Sequence, residues 1–200
     1  MDGSFSFEVD DYEGPLRIVV SPGVFSTYEC DLPPACFVDD QVAGFGAPLP
    51  YNVALEAVVA SVDDAEGITV SLLSDLVSAR VRDLGALSAA TVQQAEAQIS
   101  QQLASVYDFS ALGITLPSSL TQVELIDLLR PVASDTPDVA LLSLLNVSLL
   151  AAGMPGESLQ SFLDRLRQSA LVSPEDEVPL GGDSGAVINR ASLLTAFAVL

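Results

Sequence analysis

Two cysteines and a few clusters of carboxylates are the residues of this chain with the most chemistry to offer. Cys30 and Cys36 stand six apart in Cys-Asp-Leu-Pro-Pro-Ala-Cys. Five intervening residues with a Pro-Pro bend bring two Cα atoms within disulfide range. A zinc site would want two further ligands, and the chain has no histidine and no third cysteine to complete one. The CxxC redox spacing is missing as well. The pair is therefore expected to form a disulfide, with two free thiols as the alternative. A disulfide belongs to an oxidising compartment, so the cysteines favour export.

The carboxylate clusters are Asp39/Asp40, Asp63/Asp64/Glu66 and Glu175/Asp176/Glu177. Glycoside hydrolysis needs only two acids of split pKa, but these clusters sit in loop-like segments, tryptophan is absent and aromatic content is 6%. They read as solvated acidic turns. Asp63, Asp64 and Glu66 also offer three carboxylates in four residues, a calcium-type set of oxygens, without EF-hand spacing. Calcium at that turn is the one cofactor alternative. All seven cationic residues are arginine (Arg17, Arg80, Arg82, Arg130, Arg165, Arg167, Arg190), so lysine is absent along with histidine. That removes the Ser-His-Asp triad, the Cys-His dyad, the Schiff-base lysine and the P-loop lysine. Gly44-Phe45-Gly46 and the Gly181–Gly185 run lack phosphate-cradling spacing and read as loops. No catalytic residue is nominated, and the chain is not expected to be an enzyme.

Composition sets outer limits. Two hundred residues, half of them hydrophobic and 17% charged, can bury a sizeable core. The net charge is 7 − 27 = −20, which argues against nucleic acid and against an anionic membrane surface. The longest apolar run, Val139 to Gly153, is interrupted by Ser143, Asn146 and Ser148. It falls short of the roughly 20 residues of a membrane span, so it reads as a buried helix. Met1-Asp2-Gly3-Ser4 carries no basic or apolar leader. The expectation is a cytosolic protein or a piece whose leader lies upstream, and the cysteines favour the second.

The elements that must position these residues divide in two. Phe5, Phe7 and Val9 alternate with Ser6 and Glu8, and Leu16, Ile18 and Val20 alternate with Arg17 and Val19 after the Asp10–Gly14 turn. This pattern predicts a hairpin of residues 4–9 with 16–20. A third strand is predicted over 51–59, beyond the Pro- and Gly-rich stretch 24–50. After the acidic turn the period becomes helical: Leu72, Leu73, Leu76, Val77 and Val81, ending at Leu84-Gly85. Ser88 is placed to cap a second helix to Val106, with Val92, Ala95, Ile99 and Leu103 on one face. Residues 107–120 read as a connection. Further helices are predicted over 121–130, 136–152, 155–170 and 186–199, with a polar loop at 173–185.

Asp2-Gly3-Ser4-Phe5-Ser6-Phe7, Tyr12-Glu13-Gly14-Pro15-Leu16 and Val19-Val20-Ser21 resemble the closing strands of carboxypeptidase-regulatory-like β-sandwich modules in bacterial surface lipoproteins. Leu55-Glu56-Ala57-Val58-Val59, Ile68-Thr69-Val70 and Leu72-Leu73-Ser74-Asp75-Leu76 are similar to the stretch leading from such modules into a helical domain of unassigned function. The resemblance covers residues 2–83. It implies a surface location and an architecture, with no catalytic residues to carry over. A complete sandwich needs about seven strands, of which this chain supplies the last few.

The expected fold is α+β: a small antiparallel β segment over 1–62 holding the Cys30/Cys36 loop, then a mainly helical domain over 63–200. The expected function is a non-catalytic structural or adhesive module of an exported cell-envelope protein, extracellular, surface-bound or periplasmic. Its expected partners are other envelope or extracellular proteins, with no nucleic acid and no membrane span. The alternatives are a ligand-binding domain with an apolar pocket among helices 139–170 and, more remotely, an acid-pair hydrolase.

Overall fold

The strand residues of the first sixty positions pair in a nested order. A computed structural model describes residues 5–30, 35–38, 41–65, 67–121, 137–151 and 157–170. β1 (Leu16–Val20) lies antiparallel to β6 (Leu55–Val59), β2 (Thr27–Glu29) to β5 (Pro48–Pro50), and β3 (Ala35–Val38) to β4 (Gln41–Gly44). Leu16 faces Val59, Thr27 faces Pro50 and Ala35 faces Gly44. Three two-stranded sheets thus form one long hairpin, interrupted twice. The α+β class holds, with short antiparallel strands followed by helices.

The predicted pairing of residues 4–9 with 16–20 does not form. Residues 5–10 adopt no strand, and β1 takes β6 as its partner. The cause lies in the intervening bend. Asp11 sits in the left-handed region at φ 52°, and the Tyr12 hydroxyl donates to the Pro15 carbonyl at 2.8 Å. The Tyr12 ring lies so close to Gly14 that a Cβ there would meet its hydroxyl at 2.5 Å. Ser61 Oγ adds a hydrogen bond to the Glu13 carbonyl at 3.3 Å. With this bend, residues 5–9 belong to no sheet.

β6 is the inner strand because Ala57, Val58 and Val59 are apolar enough to be buried against the helices. The helix it meets is α1 (Leu72–Leu84), which opens with a reciprocal Ser71/Ser74 capping box and closes at Gly85, φ 110°. Its apolar stripe packs as its spacing predicts. Its polar side is buried too: Ser74, Asp75, Ser78 and Arg80 are all enclosed. α2 (Ala89–Tyr107) begins with a second capping box, Ser88/Thr91, and buries Val92, Ala95, Ile99 and Leu103. Asp108 ends it, and the short α3 (Phe109–Leu112) follows.

α4 (Pro137–Ala151) and α5 (Leu159–Ala170) complete the described helices. The side chain of Asn146 on α4 accepts from the Leu72 N–H at 3.0 Å, satisfying a first-turn donor of α1. Leu73, Ile99, Leu103, Leu142, Leu145, Leu163 and Leu166 share one buried cluster with Val53 and Val58. No helix of the described residues is long and apolar enough to cross a membrane. The helices predicted over 121–130 and 186–199, and the loop at 173–185, lie outside the described residues.

One ion pair joins strand, central helix and last helix. Asp75 is fully buried. Its carboxylate accepts from Arg167 Nε at 2.7 Å and Nη2 at 2.9 Å, and from the Glu56 N–H at 3.1 Å. Arg167 Nη2 also donates to the Ala54 carbonyl at 2.9 Å. The hydrogen bonds that Arg167 donates to Asp75 hold its guanidinium above its ordinary pKa against the opposing effect of burial. Arg167→Ala should lower stability by about 3–5 kcal/mol in urea denaturation, because it strands a buried charge. Pairing it with Asp75→Asn should recover part of that loss.

Burial also raises the phenols of Tyr107 and Tyr51. The Ser148 hydroxyl, 2.6 Å from the Tyr107 oxygen, partly offsets the rise at Tyr107. At Tyr51 the Leu55 backbone lowers it and Asp75 raises it further. The folded state favours the neutral phenols. Their contribution is therefore complete below about pH 10 and is lost as pH climbs through the raised values. Denaturation at about pH 8 and about pH 11 should show a smaller alkaline loss in Tyr107→Phe than in the parent. At the lower pH the variant should be about 1 kcal/mol less stable, from the missing hydrogen bond.

Candidate functional site

The cysteines sit at the second interruption of the long hairpin. Between the Glu29–Pro48 pair and the Ala35–Gly44 pair, the outgoing side has five residues (30–34) and the returning side three (45–47). The returning side turns tightly: Ala47 N–H donates to Gly44 O at 2.9 Å, Gly46 N–H to Cys30 O at 2.9 Å, and Cys30 N–H to Ala47 O at 3.0 Å. The Cys30 and Cys36 sulfurs lie at bonding distance, with 5.7 Å between their Cα atoms. Both side chains are buried, at 0% and 2% exposure. The sequence-predicted pairing is thus brought together, and it closes the longer side of the interruption.

Among the described residues of this end of the hairpin, Cys30, Cys36 and Leu49 form a buried cluster, with Tyr28 and Ala43 packed against them. The covalent tie adds to that packing by restricting the unfolded chain.

The first interruption has the same form. Six residues (21–26) on the outgoing side face four (51–54) on the returning side. The surplus forms a turn in which Ser26 N–H donates to Gly23 O at 3.2 Å and Gly23 N–H to Ser26 Oγ at 2.8 Å. Tyr51 N–H donates to Ser26 O at 2.8 Å and fixes the turn to the returning strand. At its corner stand Val24 and Phe25, 92% and 94% exposed. Turn corners favour Gly, Asn, Asp and Pro, so two protruding apolar side chains are unusual there. Sequence reasoning placed these residues in a loop without giving them a role. The available signal was a Pro-Gly turn followed by hydrophobic residues.

Other apolar side chains are also exposed on the β segment: Phe5, Phe7, Tyr12, Val19, Val42 and Phe45. The Phe5 and Phe7 rings stack at 6.1 Å.

The other predicted sites fare differently. Asp63 is exposed at the start of a single 3-10 turn, with its N–H on Ser61 Oγ at 3.2 Å. Glu66 and the side chain of Asp64 lie outside what is described, as do Asp39, Asp40 and Glu175–Glu177. Among the described residues no cluster of three metal-ligating side chains occurs. The leucines expected to line a pocket pack into the main core: Leu142, Leu145 and Leu163 are fully buried. The enclosed carboxylates have structural partners. Glu56 binds Arg17 at 2.6 Å and also Arg82, and Glu157 binds Arg165 at 2.6 Å. Glu96 on α2 accepts from Ser119 Oγ, the Leu120 N–H and Thr121 Oγ1, anchoring the segment before residue 122.

Comparison with models of protein families, with curated proteins and with solved structures finds no match to this chain. The likeness to surface-lipoprotein modules therefore rests on the motif residues alone.

Closing a loop of this size is worth about 2–2.5 kcal/mol in the chain-entropy account. Cys30→Ser/Cys36→Ser should cost about that much, and the loss should be local. Hydrogen exchange should show residues 27–50 losing protection while α1 and α2 keep theirs; equal loss in both would contradict the assignment.

Proposed function

We propose that this chain is a non-catalytic structural or adhesive module of an exported bacterial cell-envelope protein. The observation that carries the reading is the buried Cys30–Cys36 pair, which closes the second interruption of the hairpin and packs with Leu49. Such an arrangement suits an oxidising compartment, where the pair exists as a disulfide. The absence of histidine and lysine and the engagement of the enclosed carboxylates by arginines and backbone groups support a non-catalytic role. Exposed Val24, Phe25 and Val42 support a surface that meets other proteins. The partners proposed are other envelope or extracellular proteins. Protein–protein anchoring is commonly carried by a few apolar or aromatic side chains seated in a pocket.

The test is mass spectrometry of native material alkylated without reductant, with the cell fraction of origin recorded. The expected result is a Cys30–Cys36 linked peptide from the envelope or secreted fraction. Alkylated thiols at both positions, in protein recovered from the cytosol, would overturn the proposal.

A further inference from the structure

The two edges of the β1–β6 sheet are not equivalent. On the β6 side, the Glu56 N–H donates to Asp75 Oδ1 at 3.1 Å and the Glu56 carbonyl accepts from Ser74 Oγ at 2.9 Å. Helix α1 has closed that edge with side chains. Glu56 is therefore not hydrogen-bonded to its cross-strand neighbour Val19. In an antiparallel ladder both residues of such a pair point their backbone groups away from each other. The N–H and C=O of Val19, and by the two-residue period those of Arg17, face away from β6. Among the described residues β1 has no second strand beside it.

The same chain holds a strand-patterned segment without a sheet. Phe5, Phe7 and Val9 alternate with Ser6 and Glu8, and the three apolar side chains are 48%, 45% and 36% exposed. The Asp11–Pro15 bend, tied by Tyr12 and closed over Gly14, keeps this segment from pairing with β1 of its own chain.

We propose that the open edge of β1 accepts residues 5–9 of a second copy of this chain as an added antiparallel strand, and that two copies exchange these arms reciprocally. The pattern selects the register. Glu8 opposite Arg17 sets Phe7 against Ile18, Phe5 against Val20, Val9 against Leu16 and Ser6 against Val19. Phe5, Phe7 and Val9 then share a face with Leu16, Ile18 and Val20, of which Val20 is 37% exposed in the single chain. A slip of one residue would put every apolar side chain on the wrong face. Glu8 falls beside Arg17, whose side chain remains 45% exposed while bound to Glu56. Arg17 and Val19, the residues with outward-facing backbone, become the hydrogen-bonded pairs. The arrangement is isologous and closes at two copies.

The test is sedimentation equilibrium of the full chain over a concentration series, with NaCl raised from about 0.05 to about 0.5 M. A dimer is expected, and it should tighten with salt because each copy carries a charge of −20. Val19→Pro removes an outward N–H at a position where an edge strand tolerates proline. Phe5→Ser/Phe7→Ser removes the arm's apolar face without touching the core. Each should weaken dimerisation on the order of tenfold or more, with far-UV circular dichroism unchanged. A monomer at every concentration and salt overturns the proposal, and so does a monomer in which residues 5–9 are protected from hydrogen exchange, because the chain's own arm would then cover the edge. A dimer indifferent to either variant also overturns it.

Discussion

Asp75 places a full negative charge where no water reaches it, and the positions of three elements follow from how that charge is met. Arg167 approaches from α5, ninety-two residues further along the chain, and binds both carboxylate oxygens. The Glu56 backbone approaches from β6. Coulomb attraction at this depth is strong only while the geometry is kept, so the roll of α1, the depth of β6 and the seat of α5 are set together. Ser74, one residue earlier, accepts from the Ser71 N–H in the capping box and also donates to the Glu56 carbonyl. The same few atoms that fix the core therefore also satisfy the outward backbone groups of Glu56 on the β6 side of the sheet, while among the described residues no second strand lies beside β1.

Much of the local structure can be read from the residues themselves. Ser71, Ser88 and Gly85 mark helix ends by their own stereochemistry, and the leucine and valine spacing of α1 and α2 identifies their apolar faces. Alternation at 16–20 and 55–59 gives strands but not partners, because a period of two says which face is buried and nothing about what lies alongside. The choice of β6 over residues 5–9 depends on a bend made by one left-handed Asp11 and one tyrosine hydroxyl. The polar side of α1 is harder still. Ser74, Asp75, Ser78 and Arg80 have the look of a solvated face, and only a partner far along the chain makes their burial tolerable. At the candidate site, six-residue spacing with two prolines is enough to pair the cysteines. The protrusion of Val24 and Phe25 is not legible, since a loop reading of this stretch does not say which of its side chains stay exposed.

The charge of the molecule looks different once its pairings are known. Every arginine among the described residues has a carboxylate partner: Arg17 and Arg82 on Glu56, Arg80 on Asp83, Arg165 on Glu157 and Arg167 on Asp75. Cationic side chains here act inside the fold or along its seams. With a net charge of −20, the field projected outward is negative and repels polyanions at a distance.

The long hairpin has one more property. Each of its two interruptions gives the outgoing side two residues more than the returning side, so both are even steps. At the first of them the surplus is taken up by the hydrogen-bonded turn at Gly23–Ser26, outside the ladder, and cross-strand partners on either side keep a common face. A change in the length of that turn would therefore leave the pairing of β1 with β6 and of β2 with β5 in register, since loop closure costs little more for a few added residues.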